Sequence, residues 1–289
     1  MTSRSIGIIG AGLLGAGMAR RMLLAGHRVS LLVHKNRAPI EPLLADGAEE
    51  AADAVALARA SDVVLTCVPN AEVVEALAEE LLPHLREGQI WIDTTTSRPE
   101  TSERIATRVA AQGAVFADAP VTGGPAQAQE GSLASLVGCA EADYPAIKAL
   151  VGVYSKAVWR FGDPGRGHAA KLLNNLVTQG TMILLADAFQ CAARMGVDAH
   201  ALYDAMMAGA ARSGTLQKAV GPALEGDFSG AQFSIANAEK DLRYARDLLS
   251  DTLPSRALVA SALADRLGGL VSEGQGAKFV SSMLDPEAS

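Results

Sequence analysis

The chain has 289 residues, of which 49% are hydrophobic and 20% charged, so it can bury a sizeable core and is not disordered. Its formal net charge of −7 argues against a protein that coats nucleic acid, because such proteins need a basic face. The three cysteines are far apart, which predicts buried free thiols and a reducing, cytoplasmic setting. The apolar N-terminal run is broken by glycines too early for a signal peptide, and we expect no membrane span.

The first half of the chain alternates short apolar runs with helical patterns. The predicted strands cover residues 5–10, 28–33, 61–68, 89–93, 115–117 and 135–137, and the predicted helices cover 13–26, 43–46, 71–86 and 99–112. Such alternation predicts a mostly parallel sheet with helices on both faces. We therefore expect an α/β, doubly wound domain of the Rossmann type over residues 1–164.

The second half begins after a cluster of helix breakers at residues 164–167 and has almost no strand signal. Residues 168–194 are apolar around the whole helical circumference, which predicts a buried helix of roughly 40 Å. Shorter helices are predicted at 198–208, 214–224, 235–250 and 255–272. Residues 165–289 are therefore expected to form an all-helical domain, joined to the first domain by a long interdomain helix.

A glycine-rich turn follows the first predicted strand and opens the first predicted helix. In the pattern Gly10-Ala11-Gly12-Leu13-Leu14-Gly15, the first glycine permits a tight turn, the second lets the backbone approach a pyrophosphate, and the third allows close contact between helix and strand. The pyrophosphate would lie at the helix N-terminus, where N–H groups and the helix dipole favour an anion. This turn, residues 10–15, predicts a dinucleotide site.

The loop after the second strand indicates which dinucleotide is bound. An NAD site usually has an Asp or Glu about 20 residues beyond the glycines for the ribose 2′-hydroxyl. Here the first carboxylate in the chain is Glu41, and the second strand runs into His34, Lys35, Asn36 and Arg37. Cations and donors suit a 2′-phosphate, although solvated loop charges are an alternative. We therefore expect NADP(H) to be preferred, with NAD(H) possible.

The order of five motifs along the chain resembles that of the β-hydroxyacid dehydrogenases, the family of 3-hydroxyisobutyrate dehydrogenase and tartronate semialdehyde reductase. The motifs lie at residues 8–15 with Met18, 93–99, 118–124, 165–175 and 240–242. The resemblance covers nearly the whole chain. It implies a Rossmann domain, a helical domain like that of 6-phosphogluconate dehydrogenase, and homodimers or homotetramers.

The resemblance also implies residue roles. Lys171 would be the catalytic residue with Asn175 beside it, and Val68, Pro69 and Thr96 would border the cofactor, with Lys240 reaching its nicotinamide end. The substrate, a small 3-hydroxy acid or semialdehyde, would bind through its carboxylate to Thr122, Gly123 and Gly124, with Asn174 nearby. Two departures concern Gln127, where the family often has glycine, and the loop of residues 34–37, which replaces the usual Asn-Arg pair.

The helical spacing of the proposed catalytic pair is consistent with this chemistry. Lys171 and Asn175 are four residues apart, so they project from the same face of the predicted helix, with Asn174 nearly on that face. A lysine within an apolar helix is costly unless it lines a cleft, forms a pair or extends to the surface. In a cleft it can donate a proton to a forming alkoxide or accept one from a hydroxyl.

Other functions remain as alternatives. An imine reductase would share the fold and the glycine turn but usually lacks a lysine at this helix position. A non-catalytic scaffold with the dehydrogenase fold would have lost that lysine. The histidines show no metal-ligand spacing, so no metal is expected, and we expect His168 to cap a helix or face solvent. Lys240 beside Asp241 could instead form a surface ion pair.

Overall fold

The computed structural model describes residues 3–33 and 37–286, and it divides the chain into two compact units, residues 1–171 and 172–289. The division lies inside one long helix, Arg166–Met195, whereas the expected domain boundary after residue 164 lies just before that helix.

The first unit contains a nine-stranded sheet within the part of the chain that the structure describes. The strands are β1 (Ser5–Ile9), β2 (Arg28–Leu32), β3 (Glu49–Glu50), β4 (Val63–Thr66), β5 (Ile90–Asp93), β6 (Val115–Asp118), β7 (Val121–Thr122), β8 (Leu133–Gly138) and β9 (Ser155–Gly162). Their order is β3-β2-β1-β4-β5-β6-β8-β7, with β9 paired to β8. The six neighbouring strands β3-β2-β1-β4-β5-β6 are all parallel, which confirms the predicted Rossmann-type sheet.

Helices cover both faces of this sheet. They are α1 (Leu13–Leu24), α2 (Glu41–Ala45), α3 (Ala54–Ala60), α4 (Ala71–Leu81), α5 (Pro99–Ala110), α6 (Pro125–Glu130) and α7 (Tyr144–Val151), and a 3₁₀ turn at Leu82–His84 follows α4. Alternate residues of one strand pack into the hydrophobic clusters on opposite faces of the sheet. On β5, Ile92 belongs to the cluster beneath α1, and Trp91 belongs to the cluster beneath α3, α4 and α5. Burial of both faces explains why these strands read as continuous apolar runs.

The sequence patterns missed several short elements of this unit, namely β3, β7, β9, α3, α6 and α7. Two of the strands have only two residues each, too few to show an alternating pattern. The strand β9 is longer, but it pairs only with β8 among the described strands and exposes Trp159 and Phe161, so it lacks the apolar run of a central strand.

The second unit is helical, as predicted. It contains most of α8 (Arg166–Met195), then α9 (Ala199–Ala208), a π-helical turn (Leu216–Val220), α10 (Gly221–Leu224), α11 (Ile235–Thr252), α12 (Ala257–Ser272) and a 3₁₀ turn (Val280–Leu284). Its core includes Met182 and Phe189 from α8, Leu242 from α11 and Leu267 from α12. Ser234 caps α11 by accepting a hydrogen bond from the Asn237 N–H.

The prediction that α8 is buried on all sides is wrong. Leu173, Val177 and Leu184 are exposed along one side, and Cys191 on the same side is an exposed rather than a buried thiol. By length and composition alone, α8 could cross a membrane, and 39% of its most apolar window is buried within the protein. The core helix of a soluble protein passes the same test, so this single helix does not identify a membrane protein.

Candidate functional site

The first glycine turn (residues 10–15) lies where β1 ends. Gly10 has a φ of +96°, and a Cβ there would approach the Cys67 carbonyl oxygen to 2.2 Å. A Cβ on Gly15 would lie 2.1 Å from the Gly10 carbonyl oxygen. Gly12 differs, because a Cβ built there would meet no atom of the described chain within 4 Å. The outer glycines are therefore required by packing, whereas the middle one faces open space.

The start of α1 suits an anion. Gly12 is the N-cap residue, no side chain caps the helix, and the first turn contains no acidic residue. Amide N–H groups at a helix start are not satisfied within the helix, and the helix dipole adds positive potential there. An open space above uncapped amides fits the pyrophosphate of a dinucleotide. Ala11 is buried, Leu14 packs on the core, and Leu13 is exposed.

The basic loop after β2 is described only in part, since His34, Lys35 and Asn36 lie outside the described residues. Arg37 is exposed and donates two hydrogen bonds of 2.8 Å to the two carboxylate oxygens of Glu50. These bonds raise the pKa of Arg37 and lower the pKa of Glu50. The expected phosphate-binding arginine is thus engaged by a carboxylate from β3.

The expected cofactor-border residues lie at the ends of the neighbouring strands. Val68 and Pro69 follow β4, and Thr96 follows β5. The Val68 N–H donates to the Thr95 hydroxyl at 3.1 Å, which joins the two loops. Because β1, β4 and β5 are parallel neighbours, their carboxyl ends lie at one edge of the sheet. The structure therefore brings Val68, Pro69 and Thr96 to the edge that carries the first glycine turn.

The second glycine turn (residues 122–124) joins β7 to α6. Gly123 has a φ of +120°, and the Gly124 N–H donates to the Gln127 Oε1 at 2.9 Å. One of the amides expected to bind a substrate carboxylate is therefore already occupied by a side chain of this chain.

The helix that follows this turn, α6, packs tightly against α1, because a Cβ on Gly17 would lie 2.7 Å from the Ala128 Cβ.

His168 is fully buried, and the expectation that it caps a helix or faces solvent is wrong. Its Nε2 lies 2.7 Å from the Thr95 carbonyl oxygen, which can only accept, so Nε2 carries a proton. Its Nδ1 lies 2.7 Å from the Ser102 hydroxyl. The side chain avoids solvent because it joins the loop after β5 to α5 and to the first turn of α8.

Asp118, at the end of β6, fixes the start of α8. Its carboxylate accepts the N–H of Gly165 at 2.6 Å and the N–H of His168 at 2.7 Å. Burial raises the pKa of this carboxyl, against the opposing effects of His168 and the backbone donors. Lys171 follows His168 by three residues, so its helical turn is attached to the same strand-end edge as the cofactor-border loops.

The remaining expected residues lie in the second unit. Asn175 is buried and donates from Nδ2 to the Asp241 Oδ2 at 2.6 Å, while the more exposed Asn174 donates to the Asn175 Oδ1 at 3.2 Å. The Lys240 Nζ lies 3.1 Å from the Asp241 Oδ1. Since the side chains of Lys240 and Asp241 are only 13% and 1% exposed, the alternative of a surface ion pair is wrong.

The sequence motifs included two acids, Asp118 and Asp241, but neither was predicted to be buried, and the contacts of His168 were not predicted either. A usable signal existed for Asp118, because a charged residue directly after an apolar strand marks the ligand-bearing edge of a parallel sheet. The burial of Asp241 could not be predicted from the neighbouring sequence, because it depends on the packing of α11 against α8. Among the residues that the structure describes, no group of three His, Cys, Asp or Glu side chains could hold a metal ion.

The fold and the strand-end site define an NAD(P)-binding oxidoreductase of the Rossmann type. The family model for the NAD-binding domain of 6-phosphogluconate dehydrogenase matches residues 5–162. The model described as "NAD-binding of NADP-dependent 3-hydroxyisobutyrate dehydrogenase" matches residues 165–284. Together with the relatives below, these matches show that the chain belongs to the β-hydroxyacid dehydrogenase family.

Among curated relatives, the mitochondrial 3-hydroxyisobutyrate dehydrogenase of Drosophila melanogaster is 35% identical over 199 residues, which cover 68% of this chain and 61% of that protein. Among solved structures, 3-hydroxyisobutyrate dehydrogenase of Mycobacterium tuberculosis with L-serine has a TM-score of 0.89 at 25% identity, with full coverage of both chains. Psf3 in complex with NADP+ and 2-OPP has a TM-score of 0.83 at 28% identity and covers 96% of this chain and 98% of that one.

An imine reductase from Pseudomonas sp. is also similar, with a TM-score of 0.63 at 20% identity over 99% of this chain and 100% of that one. That likeness shows a shared fold alone. The hydroxyacid dehydrogenases fit better, because they match in both sequence and structure.

Proposed function

We propose that the protein transfers a hydride between NADP(H) and a small 3-hydroxy carboxylate or its semialdehyde, with Lys171 as general acid and base. The proposal rests mainly on one observation, the attachment of the helical turn of Lys171 to the strand-end edge through Asp118 and His168. Through Thr95 and Val68, that edge is continuous with the loops beside the first glycine turn.

The residues fit a bound dinucleotide, which supplies or accepts the hydride. The open space at Gly12 and the uncapped amides of α1 would hold its pyrophosphate. Val68, Pro69 and Thr96 would line its path along the sheet edge. Lys240, held by Asp241 in the second unit, would contact its nicotinamide end.

The chain's own residues supply proton transfer and orientation. In the reductive direction, the Lys171 ammonium would donate a proton from Nζ to the substrate carbonyl oxygen, and in oxidation its neutral amine would accept the hydroxyl proton. Asn175 follows one helical turn later, so it projects from the same side of α8. Its fixed bond to Asp241 would hold its amide in one orientation. Thr122 and the N–H groups of the second glycine turn would bind the substrate carboxylate, with Asn174 nearby.

The catalytic role is tested with Lys171→Met, which keeps the apolar stem and removes the charge. We expect turnover to fall by about 100-fold or more, because general acid–base catalysis is lost, while the dissociation constant for NADPH stays nearly unchanged. Lys148→Met, at an exposed lysine on α7, is the matched control and should retain full activity. Full activity in Lys171→Met would contradict the assignment.

Substrate and cofactor are tested with panels. The proposal expects 3-hydroxy acids and semialdehydes to be turned over in preference to cyclic imines, and NADPH to give a higher kcat/KM than NADH. A preference for imines would favour the imine reductase instead, and cofactor binding without turnover of any substrate would favour a scaffold.

A homo-oligomer is proposed from the exposed side of α8. Leu173, Val177 and Leu184 are spaced by four and seven residues, so they form one apolar stripe. Contiguous exposed apolar surface commonly marks an interface. Light scattering should give a mass of at least two chains, and a monomeric mass would refute the proposal.

A further inference from the structure

The missing acid after β2 is replaced in space by an acid from the adjacent strand. The strand β3 is parallel to β2, with Glu50 opposite Leu31, next to the last residue of β2. The carboxyl end of this second strand is where a dinucleotide-binding domain holds the adenosine ribose. Glu50 therefore stands beside the expected position of the ribose 2′ substituent, although it lies far outside the sequence window in which such an acid is sought.

The position of Glu50 matters because of its partner. Arg37, the described residue of the predicted phosphate-binding loop, forms a bidentate salt bridge with Glu50, and both N–O distances are 2.8 Å. The planar guanidinium has five N–H groups, so about three of them point away from this carboxylate. Arg37 can thus still meet a phosphate, but its charge is neutralised and two of its donors are taken.

We infer that Glu50 sets the selectivity between NADP(H) and NAD(H) by holding Arg37. A 2′-phosphate must compete with the Glu50 carboxylate for the guanidinium, whereas a 2′-hydroxyl needs no such competition. Because both side chains are about half exposed, at 52% and 40%, water screens the pair and the competition is moderate rather than prohibitive. This inference rests on the proposed use of a nicotinamide dinucleotide.

The test measures dissociation constants of NADPH and NADH by titrating the cofactor's own fluorescence, so it needs no substrate. Glu50→Gln should tighten NADPH binding about three- to fivefold and leave NADH within about twofold, because it removes the negative charge and one of the two acceptors that hold Arg37. Glu49→Gln removes the same charge from the same strand without touching the hydrogen-bonded pair, and should change neither constant by more than about twofold.

A second variant separates the pair from a general charge effect. Arg37→Ala should weaken NADPH binding about tenfold, and adding Glu50→Gln to it should then change nothing, since Glu50 acts through Arg37. An equal effect of Glu50→Gln with and without Arg37, or no effect at all, overturns the inference. If neither cofactor binds the unaltered protein, the proposed function itself has failed. If NADH binds more tightly but Glu50→Gln still shifts the ratio, only the expected NADP(H) preference is wrong.

Discussion

The two glycine turns of the first unit differ in what occupies the space around them. In the first turn, Gly10 and Gly15 are enclosed by backbone atoms, while Gly12 faces open space at the start of α1. In the second turn, Gly123 is enclosed by Leu133, and the Gly124 N–H is held by the side chain of Gln127. The first turn therefore leaves room for a ligand beside Gly12. In the second turn, the Gln127 side chain accepts the hydrogen bond that a ligand would otherwise accept from the Gly124 N–H.

This difference shows that a glycine pattern has two separate meanings. Some glycines are needed because another part of the chain lies too close for a side chain, and others leave room for a ligand. Only the second kind reports on binding. The spacing of the first turn correctly assigned Gly12 to this kind, whereas nothing in the sequence of the second turn showed that the Gly124 N–H is held by Gln127.

The largest expected effect comes from replacing single glycines of the first turn with alanine. Gly15→Ala should destabilise the fold by about 3 kcal/mol or more, because its Cβ would overlap the Gly10 carbonyl oxygen. Gly12→Ala should leave Tm within about 2 °C, since its φ of −71° suits alanine, yet weaken NADPH binding at least about tenfold. Thermal unfolding measures the Tm of both variants, and fluorescence titration measures their affinity for NADPH. Equal losses of Tm in the two variants would remove the distinction between packing and binding glycines.

A smaller effect is expected at the Gln127 side chain in the second turn. Gln127→Ala frees the Gly124 N–H. With the carboxylate bound at this turn as proposed above, the variant should lower the KM for the proposed hydroxy acid about threefold. Gln127→Glu places a negative charge at the same point and should raise that KM about tenfold through repulsion. Steady-state kinetics at saturating cofactor check both. A higher KM in Gln127→Ala would mean that the glutamine amide itself contacts the substrate.

The smallest effect concerns the far end of β1. Asp62 accepts hydrogen bonds from the N–H and hydroxyl of Ser5, and these bonds, together with Arg86, lower the pKa of Asp62 to about 2. Its contribution to stability is therefore complete above the ordinary pKa of 3.8 and is lost as the pH falls through about 2. Asp62→Asn should lower Tm by about 2–4 °C at pH 7, and the difference from the unaltered protein should shrink below about pH 4.

The same variant tests how far the first glycine turn depends on its strand. Because Asp62 anchors β1 at the end opposite the turn, NADPH affinity in Asp62→Asn should match that of the unaltered protein at pH 7. A Tm difference that persists unchanged at pH 3 would show that the Asp62 charge is not the cause of the stabilisation.

The amino-acid sequence by itself determined the α/β and helical halves, the first glycine turn and the order of motifs that places the chain in its family. These features depend on local periodicity and on residue types at fixed spacing, which the chain displays directly. The tertiary structure decided which charged groups meet: Glu50 on Arg37, Asp118 at the start of α8, and Asp241 on Asn175. Those contacts depend on strand register and helix packing between residues far apart along the chain, so no local pattern predicts them.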